Sequence, residues 1–197
     1  MKYWFIVLLF LFNTAQAKTI LFLGDSLTEG YGVSRENAYP KIIEKKLIED
    51  KSEELKILNG SISGSTSASA FKRLRFFLKA KPDILILALG ANDGLRGVNT
   101  QTTYQNLKKV IELAIENKIK VLLCGVRVPP NYGANYEKKF VAIFTRLQKE
   151  FNLPFVPRIL EGVAGVPELN QADGIHPNEK GHEVLAETVY EKLKDLL

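Results

Sequence analysis

Short, mainly apolar segments alternate along the chain with longer segments in which apolar residues recur at helical spacing. Apolar runs of this length are typical of strands that are buried on both faces of a parallel sheet. The predicted strands cover residues 19–23, 55–59, 84–89, 121–126 and 154–156. Lys56 interrupts the second of these runs, which indicates a less buried position for that strand.

The intervening segments predict amphipathic helices. They cover residues 39–49 and 101–117, the stretch that follows Phe71, the stretch from Tyr136 to Phe151, and a last helix after Pro177, with Asn178 as its N-cap. Because no hairpin signal separates consecutive strands, the order predicts an open parallel sheet that is covered on both faces. The predicted fold class is α/β, a three-layer α/β/α sandwich with a parallel five-stranded sheet.

The amino terminus has the composition of a signal peptide. Lys2 precedes an apolar run at residues 4–12, and Ala15-Gln16-Ala17 has the small-x-small form of a cleavage site. An uncleaved anchor is the alternative, but the run is short for a membrane span. We therefore expect a signal peptide at 1–17, one domain at 18–197, and an exported protein that is periplasmic or secreted.

Charge and cysteine content exclude several other classes. The net charge is +5, but the basic residues are dispersed among glutamates, which argues against nucleic-acid binding. Cys124 is the only cysteine and lies in an apolar run, where it is expected to be a small buried hydrophobe. With two histidines and no other cysteine, a metal site is not expected. The glycine spacing around Gly30 does not fit a dinucleotide fingerprint, and no cofactor is predicted.

Four polar motifs fall at the ends of predicted strands or before the last helix, where ligands bind in sheets of this kind. They are Gly24-Asp25-Ser26, residues 60–64, residues 90–94 and residues 173–177. Turn formation alone explains any single motif. It does not explain why the four together supply the parts of an acyl-transfer site at one edge.

Ser26 is the candidate nucleophile of that site. A serine hydroxyl needs a neighbouring base, and His176 has a carboxylate, Asp173, three residues before it. Asp173 would fix the imidazole tautomer while His176 faces the serine. The other histidine, His182, is expected on an exposed polar face of the last helix. The pattern differs from the nucleophile elbow, since no glycine follows two residues after Ser26.

An oxyanion formed on the substrate would need fixed hydrogen-bond donors. The Gly64 backbone N–H is one candidate, because no side chain obstructs it. The Asn92 side chain and the Ser26 backbone N–H are two more. Asn92 could alternatively brace its own turn.

These blocks resemble those of the SGNH/GDSL hydrolases. The resemblance rests on Gly-Asp-Ser-Leu at 24–27, Gly64, Gly-Ala-Asn-Asp at 90–93, and Asp173-x-x-His176, and it covers most of residues 18–197. It implies a flavodoxin-like SGNH hydrolase fold, with the triad and oxyanion hole assigned above.

The resemblance also implies that the loop 128–135 contacts substrate. The candidate substrate-binding residues are Leu95, Val128, Asn131 and Tyr132. Ser65 departs from the pattern, since an acidic residue is expected there.

By this resemblance the expected function is that of a serine esterase acting on acyl esters and thioesters, such as lysophospholipids, aryl esters and, in vitro, acyl-CoA. A carbohydrate O-acetylesterase is an alternative, because the same blocks serve that chemistry, and core packing would explain Leu95, Val128 and Tyr132 equally well. A third hypothesis for the function is a non-catalytic binding module. The expected partners are a small-molecule substrate and, transiently, membrane lipid. Nothing in the pattern demands more than a monomer.

Overall fold

A computed structural model describes residues 17–50, 55–128 and 130–197. The predicted signal peptide lies, apart from Ala17, outside the described residues. The strands are β1 Lys18–Gly24, β2 Leu55–Asn59, β3 Ile84–Ala88, β4 Lys120–Cys124 and β5 Phe155–Val156. The α-helices are α1 Ser26–Glu29, α2 Tyr39–Asp50, α3 Ala70–Phe77, α4 Ala91–Leu95, α5 Thr100–Glu116, α6 Ala134–Phe151 and α7 Glu179–Leu193.

The five strands form one parallel sheet in the order β2-β1-β3-β4-β5. In β1, Ile20 lies opposite Ile57 of β2 on one side and Ile84 of β3 on the other. Helix α2 packs against α7, while α3 and α6 pack against α5. These two groups cover opposite faces, as right-handed crossovers require for this strand order. The predicted three-layer α/β/α fold is confirmed.

The core is centred on the three middle strands. Every residue of β3 is buried, and in β1 only Lys18 is partly exposed. The edge strand β2 is less buried and Lys56 is exposed, as its sequence predicts. Cys124 is fully buried at the end of β4, also as predicted, and burial raises the pKa of its thiol to about 12. This thiol is therefore protonated and unreactive at neutral pH.

The order of the strands places a crevice at one edge of the sheet. The chain passes from β1 outward to β2, and then returns to the other side of β1 to form β3. The segments that leave the carboxyl ends of β1 and β3 therefore diverge toward opposite faces, and such a switch point is where open α/β sheets bind ligands. Here α1 follows β1 directly and α4 follows β3.

Two side chains differ from the predicted pattern. His182 was expected on an exposed face of α7 and this is wrong: it is 1% exposed, and its Nδ1 accepts a hydrogen bond from the Tyr39 backbone N–H at 3.3 Å. The reason is that α7 packs against α2, so that this face of the helix is interior. Ile48, an apolar residue of the amphipathic helix predicted at residues 39–49, is exposed.

None of the helices within the described ranges is long and apolar enough to cross a membrane.

The buried imidazole of His182 gives the first prediction. Burial lowers its pKa to about 4, whereas the unfolded chain binds this proton near its ordinary value of about 6.5. The free energy of unfolding should therefore fall as the pH drops from about 6.5 toward 4, by up to about 3 kcal/mol from this group. His182→Asn places an amide oxygen near Nδ1 and cannot take up the proton, so this part of the pH dependence should disappear.

Urea unfolding of the two proteins between pH 4 and 8 measures this difference. At pH 7 the variant should be less stable, because the smaller side chain leaves a cavity. Parallel pH profiles for wild type and variant would contradict the assignment of the acid sensitivity to His182.

Candidate active site

A tight strand-to-helix turn places Ser26 at the crevice. Asp25 caps α1, with its Oδ1 accepting a hydrogen bond from the Leu27 N–H at 3.1 Å. A Cβ at Gly24 would lie 2.1 Å from Thr28 Oγ1, so only glycine allows β1 to approach α1 this closely. Ser26 is the first residue of α1 and is half-buried, which leaves its hydroxyl accessible from the carboxyl edge of the sheet.

The loop before α7 brings the predicted acid and base to this serine. Asp173 Oδ1 accepts hydrogen bonds from the backbone N–H groups of Ile175 and His176, each at 3.0 Å. Its Oδ2 lies 2.7 Å from His176 Nδ1, and His176 Nε2 lies 2.9 Å from Ser26 Oγ. The hydrogen bonds to His176 and to these two N–H groups lower the pKa of Asp173 to about 2. The carboxylate is therefore charged at neutral pH.

Further contacts hold this loop against the segment that follows α1. Gln171 Nε2 donates hydrogen bonds to the carbonyl oxygens of Tyr31 at 2.7 Å and Pro177 at 2.9 Å. The Tyr31 and His176 rings lie 4.7 Å apart, centroid to centroid. As predicted, Asn178 caps α7 by accepting from the Gly181 N–H. The position of the imidazole is thus fixed from both its own loop and the loop after α1.

The three predicted oxyanion donors belong to three separate segments around the crevice. Ser26 begins α1 after β1, Asn92 lies in the first turn of α4 after β3, and Gly64 lies in the loop that follows β2. Gly64 is exposed and has a φ of +73°, a conformation that other residues adopt only with strain. All three candidate donors therefore lie at the carboxyl edge of neighbouring strands.

A buried acid and a half-buried arginine lie behind Ser26, the candidate nucleophile. Asp25 is 1% exposed, and burial raises its pKa to about 6 although the Leu27 N–H, Arg73 and Asn92 oppose the rise. Arg73 Nη1 donates hydrogen bonds to the carbonyl oxygens of Gly24 at 2.9 Å and Gly60 at 3.1 Å. Arg73 thus ties the carboxyl ends of β1 and β2 together. The sequence pattern did not predict this role, and the only signal for it is the position of Arg73 between Ala70 and Leu74, the buried residues of α3.

Asp93 belongs to the motif at residues 90–94, and no separate role was predicted for it. It is 1% exposed and accepts hydrogen bonds from Ser67 N–H at 2.8 Å, Ser67 Oγ at 2.5 Å and Thr103 Oγ1 at 3.2 Å. These bonds connect the end of the loop after β2 to α4 and α5. Asp93 therefore fixes the element that carries Asn92, without facing the crevice itself.

The predicted substrate-binding residues divide into two kinds of environment. Leu95 and Asn131 are exposed, and Tyr132 Oη donates a hydrogen bond to the Leu95 carbonyl at 2.7 Å. Val128 is only 4% exposed and belongs to the core, where its Cγ1 would lie 2.3 Å from a Cβ at Gly94. Contact with substrate remains a prediction for all four, and Val128 presents the least surface for it.

Within the described ranges, no group of three or more histidine, cysteine, aspartate or glutamate side chains is arranged to hold a metal ion.

The fold, the strand order and the site are those of a serine hydrolase with an α/β/α sandwich and a GDSL motif. Residues 22–184 match the GDSL-like Lipase/Acylhydrolase family, and the chain belongs to that family. It is 38% identical to thioesterase 1/protease 1/lysophospholipase L1 of Escherichia coli K12, over 98% of this chain and 94% of that protein. It is 37% identical to esterase TesA of Pseudomonas aeruginosa, over 98% and 96%. A crystal structure of TesA superposes with a TM-score of 0.87 at 36% identity, over 91% of this chain and 100% of that chain.

Burial of Asp25 yields a prediction on stability. Its pKa of about 6 lies above the ordinary value of about 3.9, so the folded protein binds this proton more tightly than the unfolded chain. The ionised carboxylate therefore destabilises the fold above pH 6, by up to about 3 kcal/mol. Asp25→Asn keeps an oxygen to accept from Leu27 N–H and is uncharged. We expect it to raise the free energy of unfolding at pH 7.5 by about 1–3 kcal/mol.

Urea unfolding of both proteins at pH 7.5 and at pH 4 tests this prediction. The extra stability of Asp25→Asn over wild type should vanish at pH 4, because Asp25 is then protonated in the folded wild type. A variant that is less stable than wild type at pH 7.5 would show that the charge is a net stabilising partner of Arg73.

Proposed function

We propose that the protein is an exported serine esterase that hydrolyses acyl esters and thioesters through an acyl-enzyme intermediate. The observation that carries this is the chain of hydrogen-bonding contacts from Asp173 Oδ2 to His176 Nδ1 (2.7 Å) and from His176 Nε2 to Ser26 Oγ (2.9 Å). These are the distances that proton transfer from the serine to the imidazole needs. Binding alone would not require a carboxylate behind the histidine.

In the first half-reaction Ser26 Oγ attacks the acyl carbonyl carbon while its proton passes to His176 Nε2. Asp173, charged at neutral pH, stabilises the imidazolium and holds its Nδ1–H. The negative charge on the carbonyl oxygen is met by the backbone N–H groups of Ser26 and Gly64 and by the Asn92 amide. The tetrahedral species collapses, His176 returns the proton to the leaving alcohol or thiol, and the acyl group stays on Ser26.

The second half-reaction repeats these steps with water. His176 removes a proton from a water molecule, whose oxygen attacks the acyl-enzyme carbonyl. The same donors meet the new oxyanion. Collapse returns the proton from His176 to Ser26 Oγ and releases the carboxylic acid, so that the enzyme is regenerated without any cofactor in these steps.

The apolar rim of the site favours substrates with medium or long acyl chains. Tyr31, Ile62, Leu95 and Ile175 are between 38% and 54% exposed. Ile175 precedes His176, Ile62 lies two residues before Gly64, and Tyr31 contacts the imidazole ring. Exposed apolar side chains grouped around a polar site provide contact area for an acyl chain. Lysophospholipids and aryl esters are the substrate classes we propose, with acyl-CoA as a substrate in vitro.

Serine dependence and chain-length preference test this function together. Hydrolysis of p-nitrophenyl esters from acetate to palmitate should extend to medium or long chains in wild type. Ser26→Ala should lose roughly 10³-fold or more in kcat, because the nucleophile is gone. The matched control is Ser34→Ala, an exposed serine whose side chain makes no cap hydrogen bond, and it should match wild type.

Activity at the wild-type level in Ser26→Ala would exclude Ser26 as the nucleophile. Serine-dependent activity confined to acetate would instead assign a deacetylase such as a carbohydrate O-acetylesterase. A folded wild-type protein that hydrolyses none of the esters and does not react with an organophosphorus serine probe would indicate a binding module.

Export gives a separate prediction. We propose that signal peptidase cleaves after Ala17 and that the mature enzyme, residues 18–197, acts outside the cytoplasm in the periplasm or medium. The support is the basic residue, apolar run and small-x-small site of the leader. Amino-terminal sequencing of the protein recovered from a bacterial host should begin at Lys18. Recovery in the membrane fraction with an intact leader would identify an uncleaved anchor instead.

A further inference from the structure

The segment that carries the Gly64 N–H has little packing of its own. The loop after β2 pairs with the end of β1 as far as Ile62, whose N–H donates to the Gly24 carbonyl at 3.3 Å. Within the loop, the Ser65 N–H donates to the Ile62 carbonyl at 3.1 Å and closes a turn. The loop contacts the rest of the fold again at Ser67, which is bound to Asp93. Gly64, between these points, is exposed, and a Cβ there would find only Arg96 Nη2 within 4 Å, at 3.7 Å. Core packing therefore does not set the direction of this N–H.

Two charged side chains contact the loop on either side of the Ser63–Gly64 peptide group. Glu29 Oε2 accepts hydrogen bonds from the Ser63 backbone N–H, at 2.8 Å, and from Ser63 Oγ. Arg96 Nη2 donates a hydrogen bond to the Gly64 carbonyl oxygen at 3.0 Å. The peptide group that bears the Gly64 N–H is thus held through the group before it and the group after it. Both contacts involve an ionised side chain, and such hydrogen bonds are stronger than neutral ones.

These two side chains come from the segments that carry the other oxyanion donors. Glu29 is the last residue of α1, three residues after Ser26, and Arg96 directly follows α4, four residues after Asn92. Each contact therefore connects the Gly64 loop to another donor. Three segments that leave three different strands are coupled at the point where their donors must converge.

We propose that Glu29 and Arg96 are positioning residues. They hold the Ser63–Gly64 peptide in the orientation in which its N–H points to the same place as the Ser26 N–H and the Asn92 amide. This inference rests on the proposed function, in which the Gly64 N–H is an oxyanion donor. Neither side chain touches the reacting atoms. Their effect is on preorganisation: a donor that is already aimed at the oxyanion stabilises the transition state more than the ground state. Loss of either contact should therefore lower kcat and leave KM nearly unchanged.

The experiment measures kcat and KM on a p-nitrophenyl ester for Glu29→Ala, Arg96→Ala and the double variant. Each single variant should lose roughly 10- to 100-fold in kcat, less than the 10²–10³ typical of removing a donor outright, with KM within about twofold. Because both side chains act on one peptide group, the double variant should lose much less than the product of the single losses.

Conservative variants and a remote pair provide the controls. Arg96→Lys retains a charged donor and Glu29→Gln retains an acceptor, so both should recover a large part of kcat. The remote pair is Glu191 and Lys194, an exposed ion pair in the C-terminal turns of the chain, and alanine at either position should leave kcat unchanged. Thermal unfolding of every variant separates misfolding from misalignment, and the conservative variants keep the test valid if an alanine variant does not fold.

Three outcomes would overturn the proposal. They are a kcat within twofold of wild type in the alanine variants, an effect confined to KM, and single losses that multiply in the double variant. Failure of the proposed function is distinguished by Ser26→Ala. If Ser26 is essential while Arg96→Ala and Glu29→Ala match wild type, only the positioning role is lost.

Discussion

The reversal of strand order at β1 is the constraint on which the rest of the structure depends. Because β2 and β3 lie on opposite sides of β1, the segments that leave β1 and β3 separate and open a crevice between them. Ser26 and Asn92 sit at the first turns of the two helices that begin there. The proposed base comes from a distant part of the chain: His176 reaches Ser26 from a loop 150 residues later.

Holding polar groups at this edge requires buried charge. Arg73 satisfies the carbonyl oxygens at the ends of β1 and β2, and Asp93 satisfies Ser67 and Thr103 between α4 and α5. Asp25 shows the energetic penalty of burying such a charge: burial raises its pKa to about 6, although Arg73 opposes the rise. A carboxylate that is ionised against its own desolvation destabilises the fold. The polar layer behind Ser26 is therefore expected to lower the free energy of unfolding above pH 6.

Local patterns were sufficient to predict the fold and to identify the candidate catalytic groups. Apolar runs and helical spacing located the strands and helices, because both depend on residues a few positions apart. Contacts between distant residues could not be predicted in this way. The helical pattern of α7 predicts a surface position for His182, and only the packing of α7 on α2 shows that it is buried. For Arg73, the pattern of α3 predicts an ordinary helix residue. Their environments are properties of the tertiary arrangement, which the spacing of neighbouring residues does not determine.

The Gly64 loop illustrates how the proposed oxyanion donor can be held in place. A backbone N–H that must face substrate cannot be covered by packed side chains, so restraint has to come from the flanks. Resemblance to the family leads one to expect an acidic residue at position 65, where this chain has serine. The carboxylate that contacts this loop comes instead from Glu29, through the backbone and hydroxyl of Ser63. Since Glu29 ends the helix that Ser26 begins, the Gly64 loop is tied directly to the helix that carries the proposed nucleophile.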